Sequence, residues 1–208
     1  MSKKRLYVHI LLDRSGSMEE CRDSTISAFN EYVNSLAADA GLSARISLTL
    51  FDDRSIDLVF DRQKPGEMPK LTKETFVPRG MTPLNDAIAG TVAEIDKADL
   101  RKDESVTFVI LTDGLENASR EHTKQTIKLL LERRQKEKNW LVIYLGANQD
   151  AFAEGAARGM AADNTMTFDA ERVEQAVGAA ARASMAFAHS PVRASAAFTP
   201  AERAKARR

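Results

Sequence analysis

Runs of consecutive apolar residues and stripes of apolar residues at helical spacing take turns along this chain. The runs fall at 5–12, 45–51, 55–60, 105–112, 140–146 and 165–168, each of strand length. The stripes between them are Ile26, Phe29, Val33 and Leu36; Ile88, Val92 and Ile95; Ile127, Leu130 and Leu131; and Val173, Val177, Ala180, Ser184 and Phe187. Strands that lack internal alternation are buried on both faces. The pattern therefore predicts an α/β fold, a three-layer α/β/α, doubly wound, mostly parallel six-stranded sheet.

One pair departs from the parallel rule. Only Asp52-Asp53-Arg54 separates 45–51 from 55–60, too little chain for a helical crossover, which predicts an antiparallel hairpin. Ser55-Ile56-Asp57-Leu58 alternates, as a half-exposed edge strand does. Residues 61–81 then form a long connection rich in turn formers, with Pro65, Gly66, Pro69, Pro78 and Gly80, and long connections in compact domains tend to carry function. A domain over 1–188 is expected, with a boundary at Ser190-Pro191 and a C-terminal tail over 189–208. Within that tail Thr199-Pro200-Ala201-Glu202 has the form of a capping box with proline at the first helical position, the sign of a short helix.

Composition narrows the function classes. There are 30 basic and 30 acidic side chains, so no global field draws the chain to nucleic acid or to anionic lipid. The basic cluster Arg203, Lys205, Arg207 and Arg208 reads as a solvated terminus. No apolar run approaches the ~18 residues a membrane span needs, and the apolar segment after the basic start is too short for a secretory signal. The single cysteine, Cys21, excludes an internal disulfide and suits a reducing compartment. A cytoplasmic location is expected.

The candidate chemistry lies where apolar runs end. Asp13-Arg14-Ser15-Gly16-Ser17 follows the first run. Oxygen-bearing side chains at alternate positions, with a glycine for a tight turn, can converge on a hard cation. Alone, the pattern reads equally well as a turn with a helix cap. Two further clusters, Gly80-Met81-Thr82-Pro83-Leu84 and Thr112-Asp113-Gly114, strengthen the first reading. In an open parallel sheet ligands bind beyond the carboxyl ends of the strands, so Asp13 and Asp113 should face one crevice. Hard oxygen donors without cysteine or histidine favour Mg2+, or else Mn2+ or Ca2+, over zinc.

Together Asp13, Ser15, Ser17, Thr82 and Asp113 resemble the metal-ion-dependent adhesion site (MIDAS) of von Willebrand factor type A (VWA) domains, and the resemblance covers about residues 5–188. It implies a Rossmann-like sheet with one antiparallel edge strand, in a stand-alone domain of the intracellular prokaryotic or phage kind. It further implies that Ser15, Ser17 and Thr82 contact the cation directly or through water, while Asp13 and Asp113 hold coordinated waters and orient the hydroxyls. The implied function is a metal-ion-dependent protein–protein interaction. An open coordination position captures an Asp or Glu offered by a partner protein, in some relatives within AAA+ ATPase systems.

Arg14, Glu116, Asn117 and Asn148 are expected at the rim of the partner surface. Glu116 and Asn117 equally suit a loop leading to a helix cap, and capping by Asn148 or Asp150 suits the start of the following helix. Gln149 lies beside them. His9, His122 and His189 share no spacing, and neither a nucleophile elbow nor a phosphate-binding loop occurs in the sequence. An enzyme is not expected. The alternative is a Mg-dependent phosphoryl-transfer or hydrolytic enzyme using the same carboxylates, and a third reading is a scaffold with a vestigial site.

Overall fold

The computed structural model describes residues 3–147, 150–190, 192 and 196–207. Its strands are β1 (Lys4–Asp13), β2 (Leu42–Phe51), β3 (Ile56–Gln63), β4 (Glu104–Thr112), β5 (Leu141–Ala147) and β6 (Thr165–Phe168), joined in one sheet in the order β3-β2-β1-β4-β5-β6. Neighbours run parallel except β2 and β3, which are antiparallel. β2 lies on one side of β1 and β4 on the other, so strand order reverses there. That is the point at which an open parallel sheet leaves a crevice at its carboxyl edge.

β1 shows why three layers form. Every residue from Leu6 to Asp13 is buried. Leu6, Val8, Ile10 and Leu12 belong to the core beneath α1 (Arg22–Ala38) and α5 (Val173–His189), whereas Tyr7 and Leu11 belong to the core beneath α2 (Leu84–Lys97) and α3 (Lys124–Glu137). Successive strand residues point to opposite faces, so a strand with apolar residues on both faces requires helices on both. β3 is the exception. Ile56 and Leu58 are exposed, its register against β2 shifts, and Arg62 takes a φ of 45°. Irregularity of this kind blunts a free sheet edge.

The connection before α2 is pinned to the body of the domain. Leu71 and Phe76 are buried. Asn30 on α1 donates to the Leu71 carbonyl at 3.0 Å and accepts from the Leu71 N–H at 2.9 Å, and Arg22 donates to the Phe76 carbonyl at 3.0 Å. These ties fix the approach to Thr82.

Two elements go beyond the apolar pattern. α4 (Ala151–Ala157) is a short alanine-rich helix whose cap is Asp150, which accepts from the Ala153 N–H. α6 (Pro200–Lys205) opens with the reciprocal Thr199–Glu202 capping box, and Ala196, Phe198 and Ala206 around it are buried in the core of α1 and α5. Arg203 corrects the reading of a solvated basic terminus. Its guanidinium donates to the carbonyls of Thr165, Ala162 and Asp163 and lies over the rings of Phe152 and Phe198 at 5.0 and 5.6 Å. Pro191 and Arg208 lie outside the described residues. Among the described residues no helix is long and apolar enough to cross a membrane.

Candidate metal centre

Parallel register builds the site. Leu12 of β1 stands opposite Leu111 of β4, so the next residues, Asp13 and Thr112, emerge side by side at the carboxyl edge. Asp13 uses both oxygens: Oδ2 accepts from the Thr112 hydroxyl and Oδ1 from the Ser15 N–H at 2.7 Å. The Ser17 hydroxyl donates to Asp113 Oδ1 at 2.6 Å and stands 3.2 Å from Ser15 Oγ.

The loop carrying Thr82 is drawn in by backbone contact, with the Gly16 N–H donating to the Gly80 carbonyl at 3.1 Å. From the other side, Asn117 Oδ1 accepts from the Thr82 N–H at 2.8 Å, and the Asn117 N–H donates to the Thr82 carbonyl at 3.2 Å. A Cβ on Gly114 would lie 2.7 Å from Thr82 Oγ1 and 3.5 Å from Asp13 Oδ2. Only a glycine leaves room for those two oxygens to face a common point. The five predicted donors are thus brought together from three loops.

Electrostatics tell the same story. Asp13 is fully buried. Burial pushes its carboxyl up to about 6, against the opposing hydrogen bonds from Thr112 and Ser15, and the nearby Asp113 charge adds to the rise. Asp113 is raised too, by burial first, with the Ser17 bond opposing and the Glu20 charge adding. At both groups burial outweighs the hydrogen bonds that favour the charged form. Among the described residues no cluster of three or more His, Cys, Asp or Glu could hold a metal. The set here is two carboxylates and three hydroxyls, which fits a hard divalent cation with few carboxylate ligands. Ser17 is exposed and Asp113 half-buried, so the cluster opens to solvent on that side.

The residues expected at the rim fare differently. Arg14 requires correction, because it is only 7% exposed and its guanidinium is committed inward. Nε donates to Asp52 at 2.8 Å, and Nη2 donates to Ser55 and Asp57 at 2.8 and 2.7 Å. Burying a guanidinium demands such pairing. The Glu116 carboxylate accepts from the N–H groups of Asn85, Ala118 and Ser119 and from the Ser119 hydroxyl, so it braces the start of α2, while Asn117 braces Thr82. Asn148 and Gln149 lie outside the described residues.

Local reading of the sequence passes over three contributors, Thr112, Gly114 and Asp52. Thr112 and Gly114 flank Asp113 in the same short motif. Asp52 is fully buried. Burial opposes its ionisation, but the N–H groups of Arg54 and Ser55 and the guanidiniums of Arg79 and Arg14 outweigh this and hold its pKa below the ordinary carboxylate value. The histidines are used elsewhere: His9 bonds to Tyr7 and Thr49, His122 to Asp86 and His189 to Asp39.

No protein-family model matches the chain, and no curated protein matches it in sequence. Solved structures match in fold. A von Willebrand factor type A structure from Catenulispora acidiphila superposes with a TM-score of 0.61 at 16% identity, over 88% of this chain and 43% of that one. Proximal thread matrix protein 1 from the mussel byssus, in a structure with a zinc-occupied MIDAS motif, gives 0.63 at 12% identity, over 85% of this chain and 47% of that one. The SpRpn10 VWA domain gives 0.58 at 14% identity, over 83% of this chain and 94% of that one. The chain therefore spans a little under half the length of the first two.

Proposed function

On a chain with the von Willebrand factor type A fold, we propose a metal-ion-dependent protein–protein interaction module. Ser15, Ser17 and Thr82, with Asp13 and Asp113, hold a divalent cation, and an Asp or Glu of a partner protein completes its coordination. The observation that carries this reading is the meeting of those five oxygen-bearing side chains, from three loops, at the carboxyl edge of β1 and β4.

The charge balance explains the preference for an external carboxylate. Asp13 and Asp113 together only just balance a dication and hold it through coordinated waters, so the neutral hydroxyls in direct contact leave it electrophilic towards a further carboxylate. Met81 and Leu115, next in sequence to Thr82 and Gly114, are 49% and 57% exposed, and they give this face the apolar side chains that protein contacts favour. With each histidine bonded elsewhere, Ser15 and Ser17 have no imidazole base beside them, which weighs against the hydrolytic alternative. Mg2+ is the cation favoured by the donor set, with Mn2+ and Ca2+ as close alternatives. The zinc in the mussel protein's MIDAS makes Zn2+ a necessary comparison. A partner within an AAA+ ATPase system is one source of the captured carboxylate.

Thermal melts of metal-stripped protein with added Mg2+, Mn2+, Ca2+ or Zn2+ test the reading. Binding to the folded state alone raises the melting temperature by mass action, so a rise in the wild type that is absent from the Ser15→Ala, Ser17→Ala double variant is expected. A wild type indifferent to every metal overturns it. Retention of a partner on the immobilised chain should then be lost on chelation.

A further inference from the structure

Asp52 lies outside the donor set yet touches both of the loops that supply it with hydroxyls. Its Oδ2 accepts from Nε of Arg14 at 2.8 Å and from Nε of Arg79 at 2.8 Å, while Oδ1 accepts from the N–H groups of Arg54 at 2.7 Å and Ser55 at 3.0 Å. Arg14 stands between Asp13 and Ser15, and Arg79 precedes Thr82 by a short Gly80-Met81 link. One buried carboxylate therefore holds an arginine from each loop.

Backbone contacts run alongside this clamp. The Arg79 N–H donates to the Arg14 carbonyl at 2.8 Å, and the neighbouring Asp53 accepts from the Met81 N–H at 2.9 Å. Gly80 adopts a φ of +69°, and a Cβ there would meet Asp53 Oδ1 at 1.8 Å. Charge-assisted bonds of this length fix geometry well, whereas a buried ion pair adds little net stability over an apolar substitute. The arrangement thus makes more sense as a device for placing loops than as one for holding the fold together.

We propose that Asp52 and Arg79 are positioning residues of the metal site, through which the β2–β3 hairpin sets Thr82 against Ser15 and Ser17. The inference rests on the metal reading above. A cation site assembled from separate loops is only as tight as their mutual placement, and residues one shell out from metal ligands typically contribute roughly 10–100-fold in affinity.

Mn2+ titration followed by electron paramagnetic resonance, on variants whose fold is verified by circular dichroism, tests it. Arg79→Gln removes the charged tie from Asp52 to the Thr82 loop and leaves the backbone contacts and the buried Arg14–Asp52 pair intact, so the fold should persist. Its dissociation constant should weaken by roughly 10–100-fold, and Arg79→Lys should recover part of the loss. Because Arg79 acts through Thr82, the Arg79→Gln, Thr82→Ala double variant should bind little worse than Thr82→Ala alone, the non-additivity of a shared interaction. Asp52→Asn should weaken Mn2+ binding as Arg79→Gln does. Wild-type binding with an unchanged Arg79→Gln constant, or fully additive losses, overturns this inference alone. A wild type that binds no Mn2+ overturns the metal reading and this inference with it.

Discussion

The Ser17 hydroxyl donates to Asp113 Oδ1 across 2.6 Å, linking residues 96 positions apart in the chain. The bond joins the loop after β1 to the loop after β4 on the solvent side of the oxygen cluster. It ties the exposed half of the cluster together.

Asp113→Asn should separate binding from stability. The Asp113 charge makes ionisation of Asp13 harder, and a neutral side chain of the same size relieves that repulsion. The metal-free variant should melt at or above the wild-type temperature. The stabilisation by Mg2+, about 2.7 kcal/mol for a wild type at a hundred times its dissociation constant, should fall by more than half. Melts with and without Mg2+ check both halves, and a lower metal-free melting temperature with an intact Mg2+ response would contradict the argument.

Gly114→Ala should damage the site with little harm to the fold. The added methyl would sit 2.7 Å from Thr82 Oγ1, so the threonine must withdraw from the cluster. Metal affinity measured by calorimetry should drop at least roughly tenfold, the scale of a displaced ligand or its support, with an unchanged circular dichroism spectrum. Wild-type affinity in this variant would show that Thr82 does not bind the cation.

His9 makes stability depend on pH. It is 1% exposed. Because the Tyr7 hydroxyl gives its proton to Ser47, His9 Nδ1 carries the proton shared with Tyr7 and Nε2 accepts from Thr49. Burial holds its pKa down to about 3. The folded chain therefore keeps His9 neutral where the unfolded chain binds a proton. The contribution is complete above the unfolded value of about 6.5 and is lost as pH falls from there towards 3, at about 1.4 kcal/mol per pH unit. Urea unfolding of wild type and His9→Gln at about pH 7 and pH 5 should show the gap between them narrowing on acidification; a constant gap would refute this assignment.

Arg203→Ala should loosen the C-terminal segment. Its guanidinium serves three carbonyls and two aromatic rings, and losing charged hydrogen bonds of this kind costs about 1.5–3 kcal/mol. Hydrogen exchange should quicken over α6 and β6 first. Exchange confined to the last turn of α6 would mean the segment is held by Ala196, Phe198 and Ala206 instead.

Much of this was legible in the sequence for a simple reason. A strand covered on both faces reads as a mainly apolar run, so the first charged residues after it, Asp13 and Asp113, mark the carboxyl edge of the sheet. Arg14 was misplaced because its partners, Asp52 and Asp57, lie 38 and 43 positions away on the hairpin, where local reading does not reach. α4 left no stripe because only Ala151 and Gly155 of its seven residues are buried. Thr112 was hidden in plain view, since its hydroxyl matters only through the register that sets it beside Asp13.

The donors belong to stretches of chain spread from Asp13 to Asp113, and they meet only after β1 has taken its place beside β4. On the proposed metal reading, a chain in which these strands are still apart offers no complete set of ligands, and the cation acts on the native state alone. A contact completed only after the transition state leaves refolding from denaturant at the same speed with or without Mg2+ and slows escape from the native state as the site fills. Stopped-flow refolding and unfolding with and without Mg2+ check both limbs.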